Sequence, residues 1–166
     1  MVIIIFGVAG AGKTTIGELL AQELHWKFYD ADDFHPPVNI DKMERGEPLT
    51  DEDRQPWLES LRETIKRSLA ANENAVLACS ALKTKYRDRL RVSPEVKFVF
   101  LHGNHVRIAE QLKNRGGHFM NPALLESQFA DLEEPTPSEN VLTVELGDSP
   151  RDLVEKIKTS LREHSR

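Results

Sequence analysis

The chain has 166 residues, a length that fits one folding domain with one site. Its 39% hydrophobic and 30% charged residues exclude a disordered or disulfide-stapled class, and a formal charge of -5, from 22 basic and 27 acidic residues, argues against a nucleic-acid binder. The single cysteine, Cys79, allows no intramolecular disulfide, which suits a reducing cytoplasm.

Val2 to Phe6 is a continuous apolar run, β-branched for four residues, and predicts a central parallel strand buried on both faces. Five residues without a basic leader are expected to be neither a membrane span nor a signal peptide. A glycine-rich turn follows, then a predicted helix from Lys13 to Leu24 with Ile16, Leu19, Leu20 and Leu24 on one stripe and Gly17 allowing close packing on a sheet. Lys27 to Tyr29 predicts the second strand. Residues 35–57 are rich in proline and charge and, with a helix from Asp51 to Ala71, read as an insertion on the substrate side spanning about 35–71. Ala75 to Cys79 predicts the third strand, Lys83 to Arg91 a helix, Phe98 to Leu101 the fourth strand, and His105 to Arg115 a helix. From Arg115 a Gly-Gly hinge leads into a helix at Pro122 to Leu132 with no strand between, which predicts a mobile lid over about 115–134. A loop at Pro135 to Asn140, a fifth strand at Val141 to Leu146 and a helix at Pro150 to Glu163 complete the chain. Strands alternating with helices predict an α/β three-layer sandwich with a five-stranded parallel sheet, in one domain covering 1–166.

The strongest local signal is Gly7, Val8, Ala9, Gly10, Ala11, Gly12, Lys13 and Thr14, which match G-x-x-x-x-G-K-[ST] between a strand and a helix. Such a loop turns successive backbone N–H groups toward phosphate oxygens, and the helix N-terminus adds a favourable dipole. The expectation is a P-loop NTPase fold that binds ATP through Gly7 to Gly12 with Lys13, Thr14 and Thr15. Lys13 then reaches the β and γ phosphates, and the Thr14 hydroxyl lies on Mg²⁺. The bland alternative, a glycine turn that binds nothing, does not account for the flanking strand and helix.

After the second strand, Asp30 and Asp32 share a face if the segment stays extended, and Asp33 is turned from it. Carboxylates at the C-terminal end of a parallel strand border the ligand crevice, so Asp30 is assigned to Mg²⁺ and Asp32 to an acceptor hydroxyl as its base. The other reading is that they cap the next turn. Lys83 and Arg87 are four apart, which on a helix places both on one face, fit to grip a carboxylate or polyol; a solvated basic face is the alternative. Ser80, His35, Arg54 and, beyond the hinge, His118 are further candidates for the substrate side. Arg115 is placed to neutralise charge on the transferring phosphoryl group, although a helix C-cap is equally compatible with the Gly116 that follows. Trp57 and Cys79 read as packing residues.

Taken together these residues resemble the gluconokinase family, the small P-loop type related to shikimate and nucleoside monophosphate kinases. The resemblance runs through Asp30-Ala31-Asp32, His35-Pro36, Asn39, Lys42-Met43, Gly46 to Leu49, Asp53-Arg54, Pro56-Trp57, Ala78 to Lys83, Tyr86-Arg87-Asp88, Gly117 to Met120 and Ser127-Gln128-Phe129. It implies transfer of the ATP γ-phosphoryl group to the 6-hydroxyl of D-gluconate, a sheet with a lid, a homodimer, and adenine near Arg115 and the loop from Gly147 to Pro150. One departure is Gln111, where the family pattern has an arginine. The rival readings are a shikimate or nucleoside monophosphate kinase, and an ATP-binding module without catalysis. A GTPase switch is disfavoured because no N-K-x-D or D-x-x-G segment occurs.

Overall fold

Four β-branched residues in a row favour extended backbone, and with no polar side chain among them both faces of the strand must be covered. The computed structural model, which describes residues 1–113 and 122–165, meets this by placing β1 (Val2–Phe6) in the middle of the sheet with every residue buried. Its neighbours are β2 (Lys27–Asp30), β3 (Ala75–Ala78), β4 (Val96–His102) and β5 (Leu142–Glu145), in the order β2-β3-β1-β4-β5, all pairs parallel. Ile4 is level with Leu77 on one side and Phe98 on the other. β4 is longer than the apolar run predicts, because Lys97 breaks the run without breaking the ladder.

Parallel strands need crossovers, and helices supply them. The described residues hold α1 (Lys13–Leu24), α2 (Pro37–Glu44), α3 (Asp51–Ala70), α4 (Thr84–Leu90), α5 (His105–Lys113), α6 (Pro122–Asp131) and α7 (Pro150–Glu163). The pleat sends alternate β1 side chains to opposite faces. Ile4 and Phe6 pack with Trp57, Leu61, Tyr86 and Leu90 from α3 and α4, whereas Ile3 and Ile5 pack with Ile16, Leu20, Leu153 and Ile157 from α1 and α7. Each fully buried side chain of this size contributes roughly 1.5–3 kcal/mol. Gly17 permits the close approach of α1 to β2, since a Cβ there would lie 2.8 Å from Cε2 of Phe28. None of the helices among the described residues is long and apolar enough to cross a membrane.

α3 begins with a capping box. The Thr50 hydroxyl accepts from the Asp53 N–H at 3.1 Å, and the Asp53 carboxylate accepts from the Thr50 N–H at 2.9 Å. Asp53 also accepts from Lys42 of α2 at 3.0 Å, so one carboxylate joins the two helices of the segment between β2 and β3. The cap sets the phase of α3, bringing Arg54 and Trp57, nearly one turn apart, to the cleft above the sheet.

Candidate active site

The C-terminal ends of β1, β2 and β3 open into one cleft of about 580 Å³, within the usual range for small-molecule sites. On its nucleotide side β1 turns sharply into α1. Gly7 has φ +153, and a Cβ there would lie 2.9 Å from the Leu101 carbonyl oxygen, so the turn excludes any side chain. Gly12 precedes α1 with no side chain to cap it, leaving the first amides of the helix to another acceptor. The Ala9 N–H donates to Oε1 of Gln128 on α6 at 2.6 Å, and Lys13 Nζ donates to the Val8 carbonyl at 3.0 Å. Gly10, Gly12, Lys13 and Thr14 line the cleft with Ala9; Val8 and Ala11 are buried behind them, and Thr15 is exposed.

β2 ends at Asp30, and here the extended geometry predicted for Asp30 to Asp33 does not hold. Ala31–Phe34 form a 3₁₀ turn because Asp30 Oδ1 accepts from the Asp32 N–H at 3.0 Å, pulling the chain round its own carboxylate. The other oxygen, Oδ2, accepts from the Thr14 hydroxyl at 3.1 Å. Asp30 and Thr14 thus stand together beside the phosphate loop, each with a hard oxygen donor. Asp32 and Asp33 both line the cleft, so Asp33 is not turned from it as the extended reading required.

The same cleft is lined by His35, Arg54, Trp57 and Ser80. His35 stacks on Trp57 with ring centroids 4.5 Å apart and planes 8° from parallel, and Asn39 Nδ2 lies 3.2 Å from its Nδ1. Burial and, after it, the Arg54 charge push the imidazole down to about 4, so it is neutral at physiological pH. Neutral Nδ1 then accepts from the Asn39 amide, which leaves the proton on Nε2. Arg54 donates to the Tyr86 hydroxyl at 2.8 Å and to Asp131 Oδ2 at 3.1 Å while remaining on the cleft wall. Burial, followed by the Asp51 contact, pushes the Tyr86 phenol up to about 12. Cys79 also borders the cleft but is 1% exposed, and burial pushes its thiol up to about 12; it packs, as expected of it. Trp57 packs too, yet it also forms cleft wall, a role the sequence reading left out.

One substrate assignment is corrected. Arg87 is fully buried, its guanidinium donating to Glu139 at 2.9 Å, to the carbonyls of Ala81 and Leu82 at 3.0 and 3.1 Å, and to that of Glu133 at 2.8 Å. With its donors directed into the protein it does not reach the cleft. Lys83 is the N-cap residue of α4, with extended backbone (φ -101, ψ 145) and its carbonyl accepting from the Arg87 N–H at 3.2 Å, so it is not on the helix face that the spacing with Arg87 predicts. It pairs with Asp51 at 3.0 Å, and Lys85 and Tyr86 bind the same carboxylate. Hydrogen bonds from Lys85, Tyr86 and Lys83, in that order, hold Asp51 well below the usual carboxylate range. Arg115 and His118 lie outside the described residues, as do residues 115–121 of the expected lid; the rest of it is α6 and residues 132–134. Gln111 lies on α5 with Oε1 buried and without a hydrogen-bond partner among the described residues. The Arg107 guanidinium stands 3.8–3.9 Å from where a Cβ of Gly147 would be, beside the loop expected to hold adenine.

The shikimate kinase family profile matches residues 9–161. A gluconokinase of Arabidopsis thaliana is 44% identical over 170 residues, covering 94% of this chain and 89% of its own, and the thermosensitive gluconokinase of Escherichia coli (strain K12) is 43% identical over 160 residues, covering 95% and 86%. The crystal structure of a gluconokinase from Sinorhizobium meliloti 1021 superposes with a TM-score of 0.83 at 37% identity, covering 99% of this chain and 97% of that one. The chain belongs to the gluconokinases of the shikimate kinase family. In this chain the five-stranded parallel sheet brings the phosphate loop, Asp30, Asp32, Asp33 and Arg54 to one cleft. Leu124, Ser127 and Gln128 of α6 line that cleft as well. Ser127 and Gln128 appear in the sequence only as part of the family resemblance, with no role attached.

Proposed function

We propose that the chain transfers the γ-phosphoryl group of ATP to the 6-hydroxyl of D-gluconate, forming 6-phospho-D-gluconate and ADP. The observation that carries the reading is the junction of the phosphate loop with the Asp30–Asp32 turn in a cleft whose lining also presents a cation, Arg54, and neutral polar groups, His35 and Ser80. A sugar acid carries one carboxylate and several hydroxyls, and this lining complements both.

The residues divide the work by position. The amides of the loop and Lys13 bind the β and γ phosphates, offsetting their charge as the terminal group leaves. The Asp32 carboxylate accepts the proton of the acceptor hydroxyl as its oxygen bonds to phosphorus and the bond to the ADP oxygen breaks. Arg54 fixes the gluconate carboxylate, and His35 Nε2 and Ser80 bind its hydroxyls. Thr14 and Asp30 are hard oxygen donors 3.1 Å apart, a set suited to Mg²⁺, and would hold the ion together with phosphate oxygens. When bound, the ion supplies charge neutralisation across the β and γ phosphates. The family resemblance supports a homodimer in the cytoplasm, which light scattering and cell fractionation check.

The deciding experiment is ADP release with gluconate, shikimate and nucleoside monophosphates offered separately. Turnover with gluconate far above the others is expected. Equal or faster turnover of another acceptor, or none at all, removes the reading.

A further inference from the structure

One amide of the phosphate loop already has a partner, and it comes from 119 residues away: the Ala9 N–H donates to Gln128 Oε1 at 2.6 Å. A backbone N–H is a single donor, so a strong partner on it excludes another. The carboxamide oxygen is a neutral acceptor on a loop whose successive amides are of the kind that turn toward phosphate oxygens. Gln128 is only half-buried and sits on the cleft side of α6, whose Leu124 and Ser127 also line the cleft. Three residues on, and so adjacent on the helix surface, Asp131 accepts from Arg54 at 3.1 Å. One helix therefore occupies an amide on the nucleotide side and a cation on the acceptor side.

We propose that Gln128 is an internal competitor for nucleotide phosphate. The Ala9 amide binds either this carboxamide or a phosphate oxygen, and nucleotide entry breaks the Gln128 contact. Because Gln128 and Asp131 ride on the same turn, its displacement loosens the Asp131–Arg54 pair and frees Arg54 for an anionic acceptor. Nucleotide and acceptor then bind with positive coupling, each tightening the other by the same factor. The first half rests on the loop taking nucleotide; only the second rests on gluconate being the acceptor.

The test is calorimetric titration of ADP with Mg²⁺ into the full-length wild type, Gln128→Ala and Gln128→Glu, without acceptor. Removal of one competing hydrogen bond is expected to tighten ADP binding roughly three- to tenfold in the alanine variant. The glutamate variant, with a stronger and negatively charged acceptor, is expected to bind more weakly than wild type. If Gln128 served only to steady the loop or to touch bound phosphate, the alanine variant would bind ADP more weakly, the opposite sign. Should that variant fail to fold, Gln128→Met keeps the bulk, lacks the amide oxygen and carries the same expectation. Unchanged or weaker binding in the alanine or methionine protein overturns the proposal. Repeating the titrations with gluconate present, the wild-type ADP Kd is expected to fall and the alanine variant to lose most of that response; an undiminished response overturns the coupling. If the wild type itself fails to bind ADP, the nucleotide reading falls with it, whereas ADP binding without turnover of gluconate leaves the competition intact and removes only the acceptor.

Discussion

Asp32 lines the cleft two residues beyond Asp30, and its own N–H holds the Asp30 carboxylate in place. Asp32→Asn keeps that backbone bond and removes only the basic oxygen, so kcat is expected to fall by roughly 10²- to 10⁴-fold while ADP affinity stays within about twofold. Steady-state kinetics beside a binding titration check this, and normal turnover excludes Asp32 as the base. His35 makes a prediction in pH. Its imidazole is depressed from 6.5 to about 4 by burial and by Arg54, so between those values the unfolded chain binds the proton that the folded chain refuses. Stability from this group is therefore full above about pH 6.5 and lost as pH falls toward 4, by about 3 kcal/mol at most. Urea denaturation across pH 4–7 is expected to give a shallower slope for His35→Phe than for wild type; parallel slopes would mean that His35 titrates normally in the folded protein. Of these residues, the phosphate loop was legible because its motif is contiguous. Asp32 does line the cleft, but not through the extended geometry expected, since the turn that positions it is made by a side-chain hydrogen bond that period-two alternation does not represent.

Among the elements, strand β1 and helices α1 and α3 could be read closely, because an apolar run and the spacing of residues along a helix are local. Contacts between distant elements were not. Arg87 looks in the sequence like a surface cation on a short helix. In the fold it sits at the meeting point of the β3–α4 loop, the carbonyl of Glu133 just after α6, and Glu139 before β5. No spacing rule spans the 52 residues from Arg87 to Glu139. Removing one partner of a buried ion pair leaves the other uncompensated, so Arg87→Met is expected to lower unfolding free energy by about 3–5 kcal/mol. Adding Glu139→Gln should recover part of that loss. A denaturation midpoint equal to wild type for the single variant would show that the pair carries little of the fold. Gln128 escaped for the same reason: its partner, Ala9, is known only once α6 has packed across the cleft.

Over the whole molecule, the parts divide by how they are held. The sheet and α1, α3, α4 and α7 share two apolar cores, one on each face of β1. α2 differs. Its one buried residue is the polar Asn39, while Val38 and Ile40 are 57% and 37% exposed. Its side chains are tied by polar contacts, Asn39 to His35 and to the Asp53 carbonyl, and Lys42 to Asp53. Yet Ile40, Met43 and Glu44 form part of the cleft wall. Hydrogen bonds of this kind contribute about 1 kcal/mol each, and all of them run through Asn39 and Lys42, so the scaffold depends on those two side chains more than on the rest of α2. This segment behaves as an interchangeable jaw: grafting 37–44 from a relative with another preference, with Asn39 and Lys42 kept, should shift the KM for different sugar acids while the melting temperature moves by no more than about 5 °C. Collapse of the fold in such a chimaera would show that the jaw is built into the foundations. If it holds, new acceptor choices can arise in this lineage without renegotiating the architecture that handles ATP.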